Sequence, residues 1–366
     1  MRILHIITSL RTGGAERLVT ELALRLDGDD VAVLLFDGTR TPFVEKLERN
    51  GIPVFSLGMG AKAMHNPFIL WRLRHFLRKR PYDILHTHNT SCQFLSALVP
   101  HQARITTEHN TTNRRRSWPW FRPIDRWMYG RYQAIVCVGE ETKIALARWL
   151  NKQALAEKMT MIPNGIDLQR FRNAKPEEGP TPTAGFTILM VAAFRPQKDH
   201  ATLIRALSLL PDEYQLKLAG GFETTHDHPV FSACRNLARE LKLENRIRFL
   251  GVRTDIPELM AACHVVVLSS VYEGFGLAAL EGMASGKPVI ASDVDGLRDL
   301  VGGAGLLVPP GDPQALAKAI REVCERPSYA RELGQKCRER AQQYDIDETV
   351  QKYRQLYGEI AASRSF

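Results

Sequence analysis

The sequence predicts an α/β protein made of two doubly wound parallel-sheet domains facing a central cleft, on three observations. Its 366 residues exceed what one ordinary core organises. Short apolar, strand-like runs alternate with helical patterns along the whole chain, as expected for parallel sheets covered by helices on both faces. The alternation stops once, at residues 173–185, where three prolines and two glycines among few apolar side chains form a linker, and then restarts. The expected division is therefore 1–172, linker 173–185, and 186–366, with the last helix packing back on the first domain.

In chain order, Arg2–Ile7 reads as a buried strand, Ala15–Leu26 as an amphipathic helix and Val31–Phe36 as a second strand. Strand-like runs follow at Val54–Leu57, Ile84–His86, Arg104–Glu108 and Ala134–Val138, with helical patterns at Phe68–Lys79, Cys92–Val99 and Glu140–Trp149 between them. Met161–Asp167 reads as a strand ending in a turn. Beyond the linker, strands are expected at Thr187–Ala192, Gln215–Ala219, Ile247–Leu250, Val265–Leu268 and Val289–Ala291. Helices are expected at His200–Leu209, Val230–Leu241, Ile256–Ala262 and Ala278–Met283, and the tail is helical at Pro313–Glu325, Tyr329–Gln343 and Glu348–Ile360.

Composition narrows the class. Apolar content of 44% and charged content of 24% suit a soluble globular protein, and no run reaches the ~18 apolar residues of a membrane span. Six scattered cysteines without a C-x-x-C pair read as reduced thiols, neither a disulfide framework nor a zinc site. The apolar start Ile3–Leu10 is too short for a signal peptide, so the protein is expected in the cytoplasm. The net charge of +9 is uneven: residues 1–183 hold 27 Lys/Arg against 17 Asp/Glu, residues 184–366 hold 22 against 23. An anionic partner of the first half is implied: a membrane surface, a phosphorylated acceptor or, ranked last, a nucleic acid.

Three places carry chemistry. Gly13-Gly14-Ala15-Glu16 follows the first strand and opens a helix, where paired glycines let a ligand approach the backbone or simply make a tight turn. It is not the G-x-G-x-x-G dinucleotide pattern. Ala193-Phe194-Arg195-Pro196-Gln197-Lys198-Asp199 ends the first strand after the linker, and two cations three apart suit a diphosphate leaving group as well as they suit solvent. Glu273-Gly274-Phe275-Gly276-Leu277-Ala278-Ala279-Leu280-Glu281 follows Val265–Leu268 in the order strand, glycine loop, helix, which offers backbone N–H groups to a phosphate. If all helix, its two glutamates would lie roughly 12 Å apart, beyond the about 5–9.5 Å of a glycosidase carboxylate pair. Two separate contacts on one extended ligand fit better, and a nucleotide-sugar is such a ligand.

These residues together resemble the retaining GT-B glycosyltransferases of family 4, along the whole chain and most specifically from Glu273 to Glu281 with Arg195 and Lys198. The resemblance implies that Arg195 and Lys198 hold the donor pyrophosphate, Glu281 the ribose, and Glu273 the transferred sugar. It implies that the backbone of Phe275, Gly276 and Leu277 caps the phosphates, that Val252 in Gly251-Val252-Arg253 lies where the base is recognised, and that Gly14 belongs to the donor site. His109, in Thr107-Glu108-His109-Asn110, matches the family's active-site histidine. The implied mechanism is front-face attack, with the leaving phosphate taking the acceptor's proton and no enzyme nucleophile. No cofactor and no metal are expected. Asp293-Val294-Asp295 matches a family turn rather than a metal loop, and the H-x-H pairs His86/His88 and His226/His228 lack an evident third ligand. His86 and His88 are expected to line the acceptor side of the cleft.

Two basic stretches remain. Phe68–Arg80 reads as an ordinary solvated helix face. Arg114, Arg115, Arg116, Trp118 and Trp120 mix cations with aromatics as a membrane interface does. With Glu16, His88 and Asn89 they are the candidates for acceptor or membrane contact. The reading is a glycosyltransferase that uses a nucleotide-diphosphate sugar, UDP by default and GDP not excluded, and a glycan or lipid-linked acceptor at the inner face of a membrane. The rivals are another GT-B enzyme such as a sugar-nucleotide epimerase, and a polyanion-binding protein. Nucleic acid is not the expected partner.

Overall fold

The computed structural model describes residues 1–11, 13–58, 68–101, 103–111, 113–175, 185–222 and 228–363, with Arg114 by its backbone alone. Two compact units divide the chain, Met1–Gly165 with Ile346–Phe366, and Ile166–Asp345.

The first unit runs β1 (Arg2–Ile7), α1 (Gly14–Arg25), β2 (Asp30–Leu35), α2 (Pro42–Arg49), β3 (Val54–Ser56), α3 (Phe68–Lys79), β4 (Ile84–His88), α4 (Thr90–Ala97), β5 (Arg104–Glu108), α5 (Arg122–Gly130), β6 (Ala134–Cys137), α6 (Glu140–Leu150), α7 (Gln153–Ala156) and β7 (Met159–Met161). Its seven strands are parallel in the order β3-β2-β1-β4-β5-β6-β7. β1, β2 and β6, buried on both faces, read as near-continuous apolar runs. Alternate strand residues feed opposite cores. Ile3, Ile7, Val33, Ile84 and Ile105 pack with α1 and α2, while Leu4, Ile6, Leu34 and Leu85 pack under α3. Ile135 and Cys137 continue the second layer beneath α5 and α6.

The second unit runs α8 (Leu168–Arg172), β8 (Phe186–Val191), α9 (His200–Ser208), β9 (Tyr214–Ala219), α10 (His228–Glu240), β10 (Ile247–Gly251), α11 (Ile256–Ala262), β11 (Val265–Leu268), α12 (Leu277–Ala284), β12 (Val289–Ser292), α13 (Asp295–Val301), β13 (Leu306–Val308), α14 (Pro313–Glu325) and α15 (Pro327–Ala341). Six parallel strands take the order β10-β9-β8-β11-β12-β13. The last helix, α16 (Ile346–Ala362), belongs to the first unit, where Ile346, Val350, Tyr353, Tyr357 and Ile360 join the core under α1.

The division falls at Gly165/Ile166, ahead of the Pro-rich stretch expected to mark it, most of which (176–184) lies outside the described residues. α8 packs with the second unit: Arg170 donates to the Thr254 carbonyl (3.0 Å), and Ile166 bridges Asp345. Composition marks where the chain is polar; packing decides where one unit ends. All six cysteines are free and buried, each held from ionising by burial where a shift is resolved. Among the described residues no helix is long and apolar enough to cross a membrane.

Candidate functional site

Each sheet reverses its strand order once, between β1 and β4 in the first unit and between β8 and β11 in the second. Loops leaving the carboxyl ends of such neighbouring strands diverge to opposite faces and open a crevice for ligands. The sequence-derived candidates sit on those loops: Gly14 and Glu16 after β1, His88 and Asn89 at the end of β4, Arg195 and Lys198 after β8, and Glu273–Leu277 after β11.

In the second unit the two switch-point loops are stitched together. The Val271 N–H donates to the Gln197 carbonyl (2.9 Å) and the Ser269 hydroxyl to the Asp199 carbonyl (2.9 Å). The loop after β8 closes in the 3-10 turn Pro196–Lys198, and Asp199, at φ 45°, then caps α9 by accepting from the Thr202 N–H (3.2 Å). The Lys198 ammonium consequently meets the Glu273 carboxylate in a close salt bridge, with 22% and 17% of the two side chains exposed. The Ser270 hydroxyl lies 3.5 Å from the same carboxylate oxygen. Sequence reasoning missed Ser269, because its partner, the Asp199 carbonyl, lies in the other loop.

Next to this pair α12 begins without a side-chain cap, at Gly276 with φ 92° and ψ 49°. Only glycine adopts that backbone freely, and a Cβ there would stand 2.5 Å from Leu297 Cδ2. On Gly296 a Cβ would stand 2.7 Å from the Glu273 carbonyl oxygen, so α13 presses directly on the loop backbone. An uncapped helix start on a fixed glycine loop leaves backbone N–H groups that an anion can take up. Phe275 is buried with its ring edge-on to Tyr344 at 5.6 Å, and Leu277 is half-buried. Glu281 is buried in the second turn of α12 (2% exposed), and Glu273 is half-buried in the loop before it. Val252 is exposed after Gly251, whose φ of 66° turns the chain out of β10.

The first unit gathers a group of histidines. His5 and His86 are register partners on β1 and β4, His88 lies two residues on, and His109 follows β5. All project from the face covered by α16. His5 Nδ1 lies 3.1 Å from His88 Nε2, and His88 Nδ1 lies 3.3 Å from His109 Nε2. His86 bonds the Tyr357 hydroxyl through Nδ1 (2.6 Å) and Thr107 Oγ1 through Nε2 (2.8 Å), and Thr107 bonds the Tyr353 hydroxyl (3.0 Å). Burial keeps all four imidazoles neutral: His5 is pushed down to about 3, His109 to about 4, and His86 and His88 well below the usual value, the latter two also by neighbouring histidines. His86 and His88, expected to line the acceptor side of the cleft, are fully buried, and Tyr357 of α16 covers β4 at His86. His5 supplies a third ring whose nitrogen lies within 4.8 Å of theirs, a metal-like spacing. Both His86 nitrogens already bond to Tyr357 and Thr107, so the group reads as a hydrogen-bond network. A histidine inside the apolar β1 was the one sequence signal for His5; its partners lie 81 and more residues away.

Asn89 holds φ 69° and ψ 157°, a region nearly confined to glycine, and is fixed by the Thr8 hydroxyl on its Oδ1 (2.9 Å). Such strain costs about 1–3 kcal/mol and clusters at functional sites. α1 starts at Gly14 on an extended Gly13, with the Glu16 carboxylate folded against it.

The arginine run differs most from expectation. Arg115 bonds Asp125 (3.1 Å), whose other oxygen accepts from Trp149 Nε1 (2.8 Å), and Arg116 bonds Glu108 (3.1 Å), which also takes a short bond from the Tyr129 hydroxyl. Glu108, Asp125 and Tyr129 are buried. Arg115 and Arg116 are therefore interior counter-ions and not a docking surface. Trp118 and Trp120 do stay exposed, at 50% and 59%, with rings edge-on at 5.9 Å. Asp293 and Asp295 flank the start of α13 and both pair with Arg298 (2.6 and 3.3 Å), the expected turn. His226 lies outside the described residues, and His228 opens α10.

Against this geometry the comparisons are specific. The sequence pattern of Glycosyl transferases group 1 matches residues 171–344, and that of Glycosyltransferase Family 4 matches residues 12–170. The phosphatidyl-myo-inositol mannosyltransferase of Mycolicibacterium smegmatis is 27% identical, covering 96% of this chain and 91% of its own. The UDP-Gal:alpha-D-GlcNAc-diphosphoundecaprenol alpha-1,3-galactosyltransferase of Escherichia coli is 27% identical over 90% of this chain and 86% of its own. Among solved structures, Anabaena Alr3699/HepE in complex with UDP and glucose has a TM-score of 0.85 at 23% identity, covering 98% of this chain and 99% of that one.

Proposed function

The chain belongs to glycosyltransferase family 4, with the GT-B fold, and we propose that it moves a sugar with retention from a nucleotide-diphosphate donor to a hydroxyl of a glycan or lipid-linked precursor, without a metal. One observation carries the donor assignment: the Lys198–Glu273 pair, built from both switch-point loops beside the uncapped start of α12. Lys198 and Arg195 neutralise the diphosphate as it leaves, and the N–H groups of Phe275, Gly276 and Leu277 cap it. Glu273 takes the transferred sugar, Glu281 the ribose and the backbone at Val252 the base, and Gly14 of the first unit is assigned to the donor. His109 of the first unit is assigned to the transferred sugar. The acceptor oxygen bonds to the anomeric carbon on the face from which the diphosphate departs, the carbon–phosphate-oxygen bond breaks, and the acceptor's proton passes to the departing phosphate. UDP is the favoured nucleotide, supported by the bound nucleotide in the similar HepE structure.

The test is a thermal-shift series with UDP-, GDP- and ADP-glucose, then turnover with the stabilising donor type. Lys198→Ala is expected to lower kcat by about 100-fold or more, the usual loss of one charge-stabilising contact, with the fold intact because Lys198 is partly exposed. Wild-type-like turnover refutes the donor assignment. EDTA is expected to leave the rate unchanged; a loss restored by a divalent cation refutes metal independence.

A second reading concerns where the acceptor is met. Four of the five tryptophans are exposed (Trp71 63%, Trp118 50%, Trp120 59%, Trp127 44%), all in or beside α3 and α5, which cover one face of the first sheet. Exposed tryptophans amid cations suit the headgroup boundary of an anionic bilayer, and we place this helix layer on the inner leaflet. Expected is co-sedimentation with phosphatidylglycerol vesicles that a Trp71/Trp118/Trp120→Ser variant loses; equal pelleting by both overturns it.

A further inference from the structure

The histidines carry an inference beyond their number. His5, His88 and His109 form a row joined only nitrogen to nitrogen, His5 Nδ1 to His88 Nε2 and His88 Nδ1 to His109 Nε2. A neutral imidazole has one donor and one acceptor nitrogen, so each link fixes the next ring's tautomer. Such a row has two phases only. In one, His5 donates to His88, His88 donates to His109, and His109 keeps its proton on Nδ1. In the other every proton sits on the opposite nitrogen, and His109 Nδ1 is a bare lone pair.

The row's two ends decide between the phases. His5 Nε2 and His109 Nδ1 are both shielded atoms with no hydrogen-bond partner among the described residues. Whichever phase holds, one end is an orphan N–H and the other an unmet lone pair. Buried orphan N–H groups are rarer in proteins than under-satisfied acceptors, so the N–H belongs at the end that something else reaches. His5 is 0% exposed in the middle of β1, whereas His109 is half-buried at the end of β5, beside the exposed Asn110. The row cannot turn away, because the His88 ring packs 4.1 Å from that of His86, which Tyr357 and Thr107 hold at both nitrogens.

We propose that His5 and His88 are positioning residues that lock His109 as its Nδ1–H tautomer, so that His109 offers the transferred sugar a hydrogen-bond donor and no base. The sugar half of that statement rests on the glycosyl-transfer reading; the tautomer does not. Burial supports it by keeping each ring neutral, with one proton apiece, at ordinary pH. The consequence for the chemistry is that His109, protonated at Nδ1 and accepting from His88 at Nε2, keeps no free lone pair with which to take the acceptor's proton, leaving that proton to the departing phosphate.

The full chain labelled with 15N-histidine, without ligand at pH 7.5, reports the tautomer through long-range proton–nitrogen correlations. His109 is expected protonated at Nδ1 and bare at Nε2, with His88 and His5 in the same phase. His109 protonated at Nε2 overturns the proposal in the unmutated protein, whatever any variant does. His88→Leu should abolish the preference at His109 and lower kcat about tenfold or more, as small misplacements do. His88→Gln, whose amide accepts from His5 and donates to His109, should restore both. An unchanged His109 tautomer in a folded His88→Leu overturns the row. If no sugar nucleotide is turned over while His109 shows Nδ1–H, glycosyl transfer fails and the row stands.

Discussion

Lowering the pH from 7.5 to 5.5 should remove about 5 kcal/mol of stability from the first unit, a loss worked from its four buried histidines. In the unfolded chain each titrates near 6.5 and takes up most of a proton across this window. In the folded unit none does, because burial holds His5 to about 3, His109 to about 4, and His86 and His88 well below their ordinary value. Folded values below the unfolded one mean that stability is complete above about pH 6.5–7 and falls as protons are gained by the unfolded chain alone. Each histidine contributes about 1.4 kcal/mol over the window, and native domains hold only about 5–15 in total. Among the described residues the second unit has two histidines lowered by burial, His200, stacked on Phe194 at 4.3 Å and pushed down to about 4, and the part-buried His264, so it should lose less. All five tryptophans (71, 118, 120, 127, 149) lie in the first unit, so tryptophan fluorescence during urea unfolding reports that unit alone. His5→Phe should flatten the dependence by about 1.4 kcal/mol, one histidine's share. A urea midpoint that is level between pH 7.5 and 5.5 would refute the neutral, desolvated cluster.

Two further outcomes follow from packing. Arg116→Ala should cost about 3–5 kcal/mol by leaving Glu108 charged in the interior, checked by urea denaturation; a cost under about 1 kcal/mol would make the pair an ordinary surface bridge. Gly296→Ala should raise the donor KM at least about tenfold, since its Cβ meets the Glu273 and Gly274 backbone at 2.7 Å and overpacking costs about 1–3 kcal/mol; an unchanged KM would detach that loop from the donor.

How much was legible in the sequence follows from the range of each interaction. Strands such as Val265–Leu268 and Ala134–Cys137 were readable in place because a strand buried on both faces is a continuous apolar run. β13, three residues between Gly305 and Pro309-Pro310, carries too little pattern to be seen. α2 was overlooked although Thr41 caps it and Pro42 opens it, a local start signal. The donor-side candidates were readable because each loop holds its residues within a few positions. That Lys198 meets Glu273 depends on the strand order β8-β11, which no local spacing discloses. The histidine row is more remote still, since His5, His88 and His109 meet only once three strands pair and α16 returns over them. Arg115 and Arg116 misled for the opposite reason. Their partners Asp125 and Glu108 are within ten residues, but charge beside tryptophan was read as surface before asking which acids were buried.

That misreading does not remove the field it was meant to explain. The basic excess of the first half lies wholly in residues 68–152, which hold fifteen Lys/Arg against five Asp/Glu, while 1–67 and 153–183 are each balanced. Arg104, Arg115 and Arg116 are engaged in the interior, and so are the acids Glu108 and Asp125. Twelve cations against three acids remain, so burying the arginines and their acids together leaves the surface almost as basic as before. The cations that stay outside include Arg72, Arg74, Arg78, Lys79 and Arg80 on and after α3, the helix that also exposes Phe68 and Trp71. Each cation held near an anionic leaflet is worth about 1 kcal/mol, so these five together supply attraction that the interior pair cannot. The electrostatic centre of the surface thus moves from the arginine triplet to α3, a helix whose sequence alone suggested only a solvated face. Replacing arginines on α3 therefore probes the membrane reading, whereas replacing Arg115 or Arg116 probes the fold.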